Sequence, residues 1–274
     1  MSTVERVRPQ PRHAVALPIG PRTAAVLALA SLAGLMMLCW PLLLNAQPGQ
    51  RVEPPFLFLA LLPLVIVVVL AEMGEGGMDS RVLAVLGVLS AINAVMRSLG
   101  AGTAGIELVF FLLVLGGRVF GAGFGFALGC TSLFASALLT AGVGPWLPFQ
   151  MICAAWVGMG AGFLPRRVVG RAEIAMLVAY AVVASYLYGL LMNLSSWPFA
   201  LGIAVPGHEG SLSYVAGAPV LDNAHRFLVY TLLTSTGGWD TGRALTTGIA
   251  IVVLGPAILI TLRRAARRAV VRAG

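Results

Sequence analysis

Long apolar runs alternate with short polar ones along most of this chain. The runs cover residues 23–44, 55–71, 82–96 and 105–120, then a pair within 121–165, then 173–194 and 240–262. Most approach the roughly 20 apolar residues that a helix needs to cross a bilayer. Eight spans are therefore predicted, with both chain ends on one side. Polar residues gather in a tail at 1–22, an acidic glycine-rich stretch at 72–79, a short glycine loop at 98–104 and a long segment at 195–239. A short helix is predicted near residues 223–235 inside that last segment. The run at 23–44 is too long for a signal-peptide core, and Leu44-Asn45-Ala46 is a poor cleavage site, so it reads as an uncleaved span.

Small residues pattern the runs further. Gly121, Gly125 and Gly129 recur every fourth residue, as do Ala154, Gly158 and Gly162. That spacing puts them on one helix face. In lipid, where apolar contact between helices gains little over apolar contact with acyl chains, close backbone approach through small residues supplies the packing. A tight helical hairpin is predicted, turning at residues 144–150 (GPWLPFQ), with Gln150 aimed back into the bundle. Ala84, Gly87, Ala91 and Ala94 give the third span one smooth face within roughly 80° of arc.

Composition agrees with the pattern. Of 274 residues, 59% are hydrophobic and 10% charged, and mean hydropathy is +0.94, which excludes an ordinary soluble domain. The net charge is +8 and every basic residue is arginine. A nucleic-acid partner is the other reading of so basic a chain, but these arginines sit in tails and short loops. With the N-terminus in the cytoplasm, fourteen arginines fall inside and four outside, as the positive-inside rule requires. Trp40, Trp146, Trp197 and Trp239 then fall at the outer rim, which predicts an aromatic belt and makes 195–239 extracytoplasmic.

Soluble-enzyme motifs are missing. Without lysine there is no P-loop and no Schiff base. His208, Glu209, Asp222 and His225 read as a solvated loop rather than a metal site, and Cys39, Cys130 and Cys153 as small core hydrophobes. No catalytic residue, cofactor or metal is predicted. Polar groups do cluster at the outer mouth: Glu107, Gln150, Asn193, Asn223, Asp240 and Arg243, beside Trp146, Trp197 and Trp239. Glu107, read as one turn inside its helix, is expensive unless paired or functional, and Arg97 is its candidate partner. Such a mix suits a cavity for an amphipathic, ring-bearing ligand, and equally an ordinary interface belt.

The smooth face of residues 84–94, the runs GRVFGAGFGFALG and GPWLPFQM…AWVGMGAG, and the Trp239-Asp240…Arg243-Ala244 helix start resemble the substrate-specific S component of energy-coupling factor (ECF) transporters. The resemblance covers roughly residues 81–268 and implies an all-α, six-helix membrane core with both termini cytoplasmic. Residues 23–80 form an extra pair of helices whose role it leaves open, and 269–274 a tail.

The resemblance implies a protein that is not an enzyme. It would capture a vitamin or related micronutrient from outside and deliver it with a transmembrane coupling protein and two cytosolic ATPases. Ala84, Gly87, Ala91 and Ala94 would dock on the coupling protein. Glu107, Trp146, Gln150, Asn193, Trp239, Asp240 and Arg243 are expected to bind the substrate, with a slight lean toward a large one such as cobalamin. The competing readings are a self-sufficient secondary transporter and a membrane-embedded enzyme. The first often shows internal repeats, and none is clear here; the second needs convergent polar groups at depth, and no histidine lies in a span.

Overall fold

The structure, a computed structural model, describes residues 19–43, 80–100, 105–199 and 211–270, with scattered positions between 63 and 74. No strand occurs among them. The helices are α1 (Pro21–Leu38), α2 (Trp40–Leu43), α3 (Ser80–Gly100), α4 (Val109–Phe120), α5 (Ala122–Leu139), α6 (Leu147–Phe163), α7 (Arg171–Ser196), α8 (Val220–Thr231), α9 (Thr241–Val253) and α10 (Gly255–Val270). A π-helical stretch, Leu232–Asp240, joins α8 to α9. Four of these helices are long and apolar enough to cross a membrane, or five if the bent pair at the C-terminal end counts as one, and α4 and α6 are shorter apolar helices. The chain is a multi-pass helical membrane protein. The predicted span 55–71 lies mostly outside the described residues.

The hairpin of α5 and α6 is the densest contact in the bundle, and its glycines account for it. A Cβ on Gly125 would overlap the Gly158 carbonyl, and one on Gly158 would overlap the Gly125 carbonyl. Gly129 meets the Ala155 backbone and Gly162 that of Ala122 in the same way. Gly121 is the exception in the stripe. Its φ of 100° and ψ of 172° suit only glycine, and it forms the corner that turns α4 directly into α5. Helix α3 packs along α5, with Ser90 Oγ 2.6 Å from Thr131 Oγ1.

Helix α1 lies on α6 and α7. Gly34 fits against Ile152, and Trp156 Nε1 donates to Ser31 Oγ at 3.0 Å. Trp40 Nε1 donates to Ser195 O at 3.2 Å. These pairings run α1 parallel to α7, so residues 21 and 255 lie at the same end of the bundle, opposite the α3–α4 connection.

Several expectations are corrected. The helix of the fourth span begins at Val109, not 105, so Glu107 precedes it. Its carboxylate accepts from Arg243 on α9 and makes no cap to the start of α4. Ser98–Gly100 belong to α3 rather than to a loop, and 101–104 lie outside the described residues. The short helix at 223–235 is the start of one continuous helix, Val220–Val253. The last span does not run to 262: the chain bends by 70° after Val253, and α10 leaves at that angle. Trp40 and Trp197 are 5% and 0% exposed, so they are no belt. Trp197 centres a second small core with Leu194 and Phe227, and its Nε1 donates to Leu212 O at 2.8 Å.

Candidate functional site

The end of the bundle holding the α3–α4 connection carries a buried ion cluster. Arg243, near the start of α9, is its hub. It donates to Glu107 Oε2 at 2.7 Å, to Asp240 Oδ1 at 3.0 Å and to Ser185 O at 3.4 Å. Its guanidinium also lies 4.8 Å from the Tyr188 ring centroid and 5.4 Å from that of Phe110, a cation–π environment. Arg97, at the end of α3, links the cluster outward. It lies 4.0 Å from Glu107 Oε1 and donates to Gln150 Oε1 and Ser136 Oγ, both at 3.1 Å. Gln150 does aim into the bundle, but from the first turn of α6, which begins at Leu147, so the turn ends before 150.

Local structure explains how carboxylates come to sit this deep. The π stretch carries Ser235 and Asp240 inward, and Ser235 Oγ donates to Asp240 Oδ2 at 2.9 Å. Single π turns recur at functional sites because the wider turn re-aims side chains. Gly189 on α7 makes room, since a Cβ there would overlap the Asp240 carboxylate. Exposure is graded. The Asp240 side chain is 1% exposed and Arg243 10%, while Glu107 and Arg97 reach 21% and 22%. The outer pair is thus partly open to solvent, and the inner pair is closed off from it.

Asn193 lies one turn beyond Gly189 on α7, and its buried Nδ2 has no hydrogen-bond partner among the described residues. The structure thus brings together Glu107, Gln150, Asp240 and Arg243, with Asn193 one turn along. Trp146 and Trp239 are 53% and 45% exposed. Gly105, at φ 78°, packs under the Trp239 backbone. Asn223 does not join the site: its amide clamps Val215 N and O at 3.1 and 2.9 Å. Asp222 and His225 are exposed, and His208 and Glu209 lie outside the described residues.

Sequence reasoning missed Ser136, Ser185, Ser235 and Tyr188, which carry no periodic signal. It also placed Arg118 as a loop charge. Arg118 and Glu173 form a second buried pair, at the opposite end, 2.7 Å apart and 4% and 2% exposed. Arg118 also donates to the carbonyls of Leu164, Pro165 and Val168.

The α3 surface is split. Ala84, Gly87 and Ala91 are exposed, and a Cβ on Gly87 would touch nothing within 4 Å. Ala94 is 0% exposed, because it lies at the edge of the small-residue arc and turns into the bundle. It is not part of an outward face.

Among protein families, the model described as ECF transporter, substrate-specific component, matches residues 81–262. The chain belongs to this family. The match begins at the start of α3, so α1 and α2 lie outside it, and the whole ion cluster lies inside it. Comparisons with curated proteins and with solved structures give no match. As an S component, the protein is the substrate-specific subunit of an ECF transporter and belongs to a family of transporter subunits. S components bind small-molecule substrates and associate with a coupling protein and ATPases.

Proposed function

We propose that this S component captures a vitamin or related micronutrient from outside the cell at the Glu107–Arg243–Asp240 cluster. The observation that carries the reading is that cluster's graded burial. A ligand bearing both donors and acceptors meets the partly open Glu107 and Arg97, with Gln150 beside them and the Asn193 Nδ2, without a partner among the described residues, one turn along. Trp146 and Trp239 then offer ring contact at the rim, and their exposure favours a large ligand such as cobalamin. A ligand carboxylate or phosphate competes with Glu107 for the two arginines.

The opposite end carries Arg166, Arg167, Arg171 and the arginines of α10, which supports a cytoplasmic assignment for that end and for both termini. Taking the paired Arg97, Arg118 and Arg243 out of the count leaves the bias intact. The exposed Ala84, Gly87 and Ala91 surface is then the docking face for the coupling protein, smooth enough to slide. The two ATPases act through that partner. The deciding experiment is mass spectrometry of the small molecule that co-purifies with the protein, with calorimetric titration of that molecule into wild type and Glu107→Ala. Equal affinities would place the site elsewhere. Uptake by the reconstituted protein alone on an ion gradient, without ATP, would instead make it a secondary transporter.

A further inference from the structure

Helix α10 leaves the last membrane helix at 70°, so it runs closer to perpendicular than parallel to it. Its level is fixed by Arg263, whose Nη2 donates to Glu173 Oε1 and Oε2 at 2.6 and 2.7 Å. Glu173 sits in the first turn of α7, a 26-residue helix of roughly 39 Å, longer than a hydrocarbon core. The clamp therefore holds α10 at the end of a spanning helix, where the bilayer surface lies. Arg81, at the start of α3, donates to Arg268 O at 3.5 Å and ties the far end of α10 to the same level.

The helix is two-sided. Gly255, Leu259, Leu262 and Ala266 are buried against the bundle. Arg264, Arg267 and Arg268 are exposed, and at 100° per residue they fall within roughly 100° of arc centred opposite the buried stripe. Ile260, 52% exposed, shares their side. Arg167, in the α6–α7 connection, and Arg171, at the start of α7, are exposed at the same end. Among the described residues the one carboxylate at this end is Glu173, which Arg118 and Arg263 already hold; the acidic stretch 72–79 lies outside the described residues.

We propose that α10 is a membrane-surface helix whose exposed face, Arg264, Arg267 and Arg268, binds the phosphate groups of anionic phospholipids. A guanidinium meets a phosphate through paired N–H donors. With its apolar face already buried on the bundle, a basic helix held at headgroup level presents its charges to anionic lipid. The family match ends at residue 262, before these three arginines, and the inference does not depend on what the ion cluster binds.

The test uses the full chain in phosphatidylcholine nanodiscs with and without phosphatidylglycerol. Native mass spectrometry counts retained phosphatidylglycerol, and hydrogen exchange follows the α10 amides. Wild type should retain phosphatidylglycerol selectively and protect α10 only when it is present. In the combined variant Arg264→Gln, Arg267→Gln, Arg268→Gln, selective retention should fall about a hundredfold, three charges at about a factor of five each. Arg226→Gln, a charge change at the other end, should leave retention unchanged. The three arginines face away from the bundle, so unfolding of the variant in detergent should match wild type and show that it is folded. Equal retention by wild type and the combined variant would overturn the proposal. So would protection of α10 by soluble polyglutamate in pure phosphatidylcholine that phosphatidylglycerol cannot reproduce, which would point to an acidic protein segment instead.

Discussion

Replacing Arg243 with methionine interrogates the ion cluster most directly. Methionine keeps much of the side-chain volume against Phe110 and Tyr188 but removes the charge that Glu107 and Asp240 share. The two carboxylates then fare differently. Glu107 is partly exposed and keeps Arg97 within 4.0 Å. Asp240 is left with Ser235 in a site where its side chain is 1% exposed. Stranding a buried charge in this way costs about 3–5 kcal/mol. Asp240→Asn approaches the same pair from the other side. Arg243 still has Glu107, and the Ser235 bond survives, so the loss is that of one charged hydrogen bond, about 1.5–3 kcal/mol. The double variant strands no ion at position 240 and should cost no more than Arg243→Met alone. The coupling between the two changes is therefore at least the Asp240→Asn loss, about 1.5–3 kcal/mol. Reversible unfolding in mixed dodecylmaltoside–SDS micelles, followed by tryptophan fluorescence, gives all three free energies. Strict additivity would refute the reasoning, because it would mean that Arg243 does not carry Asp240.

Glu107→Ala should weaken binding of the co-purifying ligand about tenfold to a hundredfold, read by titration calorimetry. Gly189→Ala should also weaken binding, by driving Asp240 out of place, whereas Gly87→Ala, with open space around it, should be silent in the same titration. Gly87→Leu and Ala91→Leu should abolish co-purification with the coupling protein and spare ligand binding; a complex that survives both changes would mean the docking face is misplaced. Ala94→Leu should instead lower stability in the detergent unfolding assay, because its Cβ is already enclosed.

The hairpin was legible because a small residue at every fourth position has one strong physical meaning in lipid, and Gly125, Gly129 and Gly158 act on it as read. Gln150 was legible for a similar reason, being a lone amide after two prolines that had to point somewhere polar. The ion pairs were harder. Glu107 and Arg243 are 136 positions apart, and only the alternation of helices up and down the bundle brings them level. Arg118 and Glu173 were hidden by their position at the ends of apolar runs, where a loop charge and a buried one look alike. The bend after Val253 left no mark in hydropathy, because α10 stays apolar on its bundle side. The π stretch was invisible too, since its residues, LLTSTGGWD, hold no periodic signal and its register follows from where Asp240 must reach.

The helical run Val220–Val253 is continuous through its π stretch. At 1.5 Å per residue it measures roughly 50 Å, against a hydrocarbon thickness of about 30 Å. Tilt absorbs only part of the excess. A substantial length of α8 must stand in the headgroup layer or beyond it, braced by Trp197 and Phe227 as a small domain in water would be. The candidate site is thus flanked on one side by a helix that reaches past the hydrocarbon layer. A water-soluble protein binder or a protease can approach it from the aqueous phase, whereas the glycine-packed hairpin below is reachable only by molecules that dissolve in the membrane.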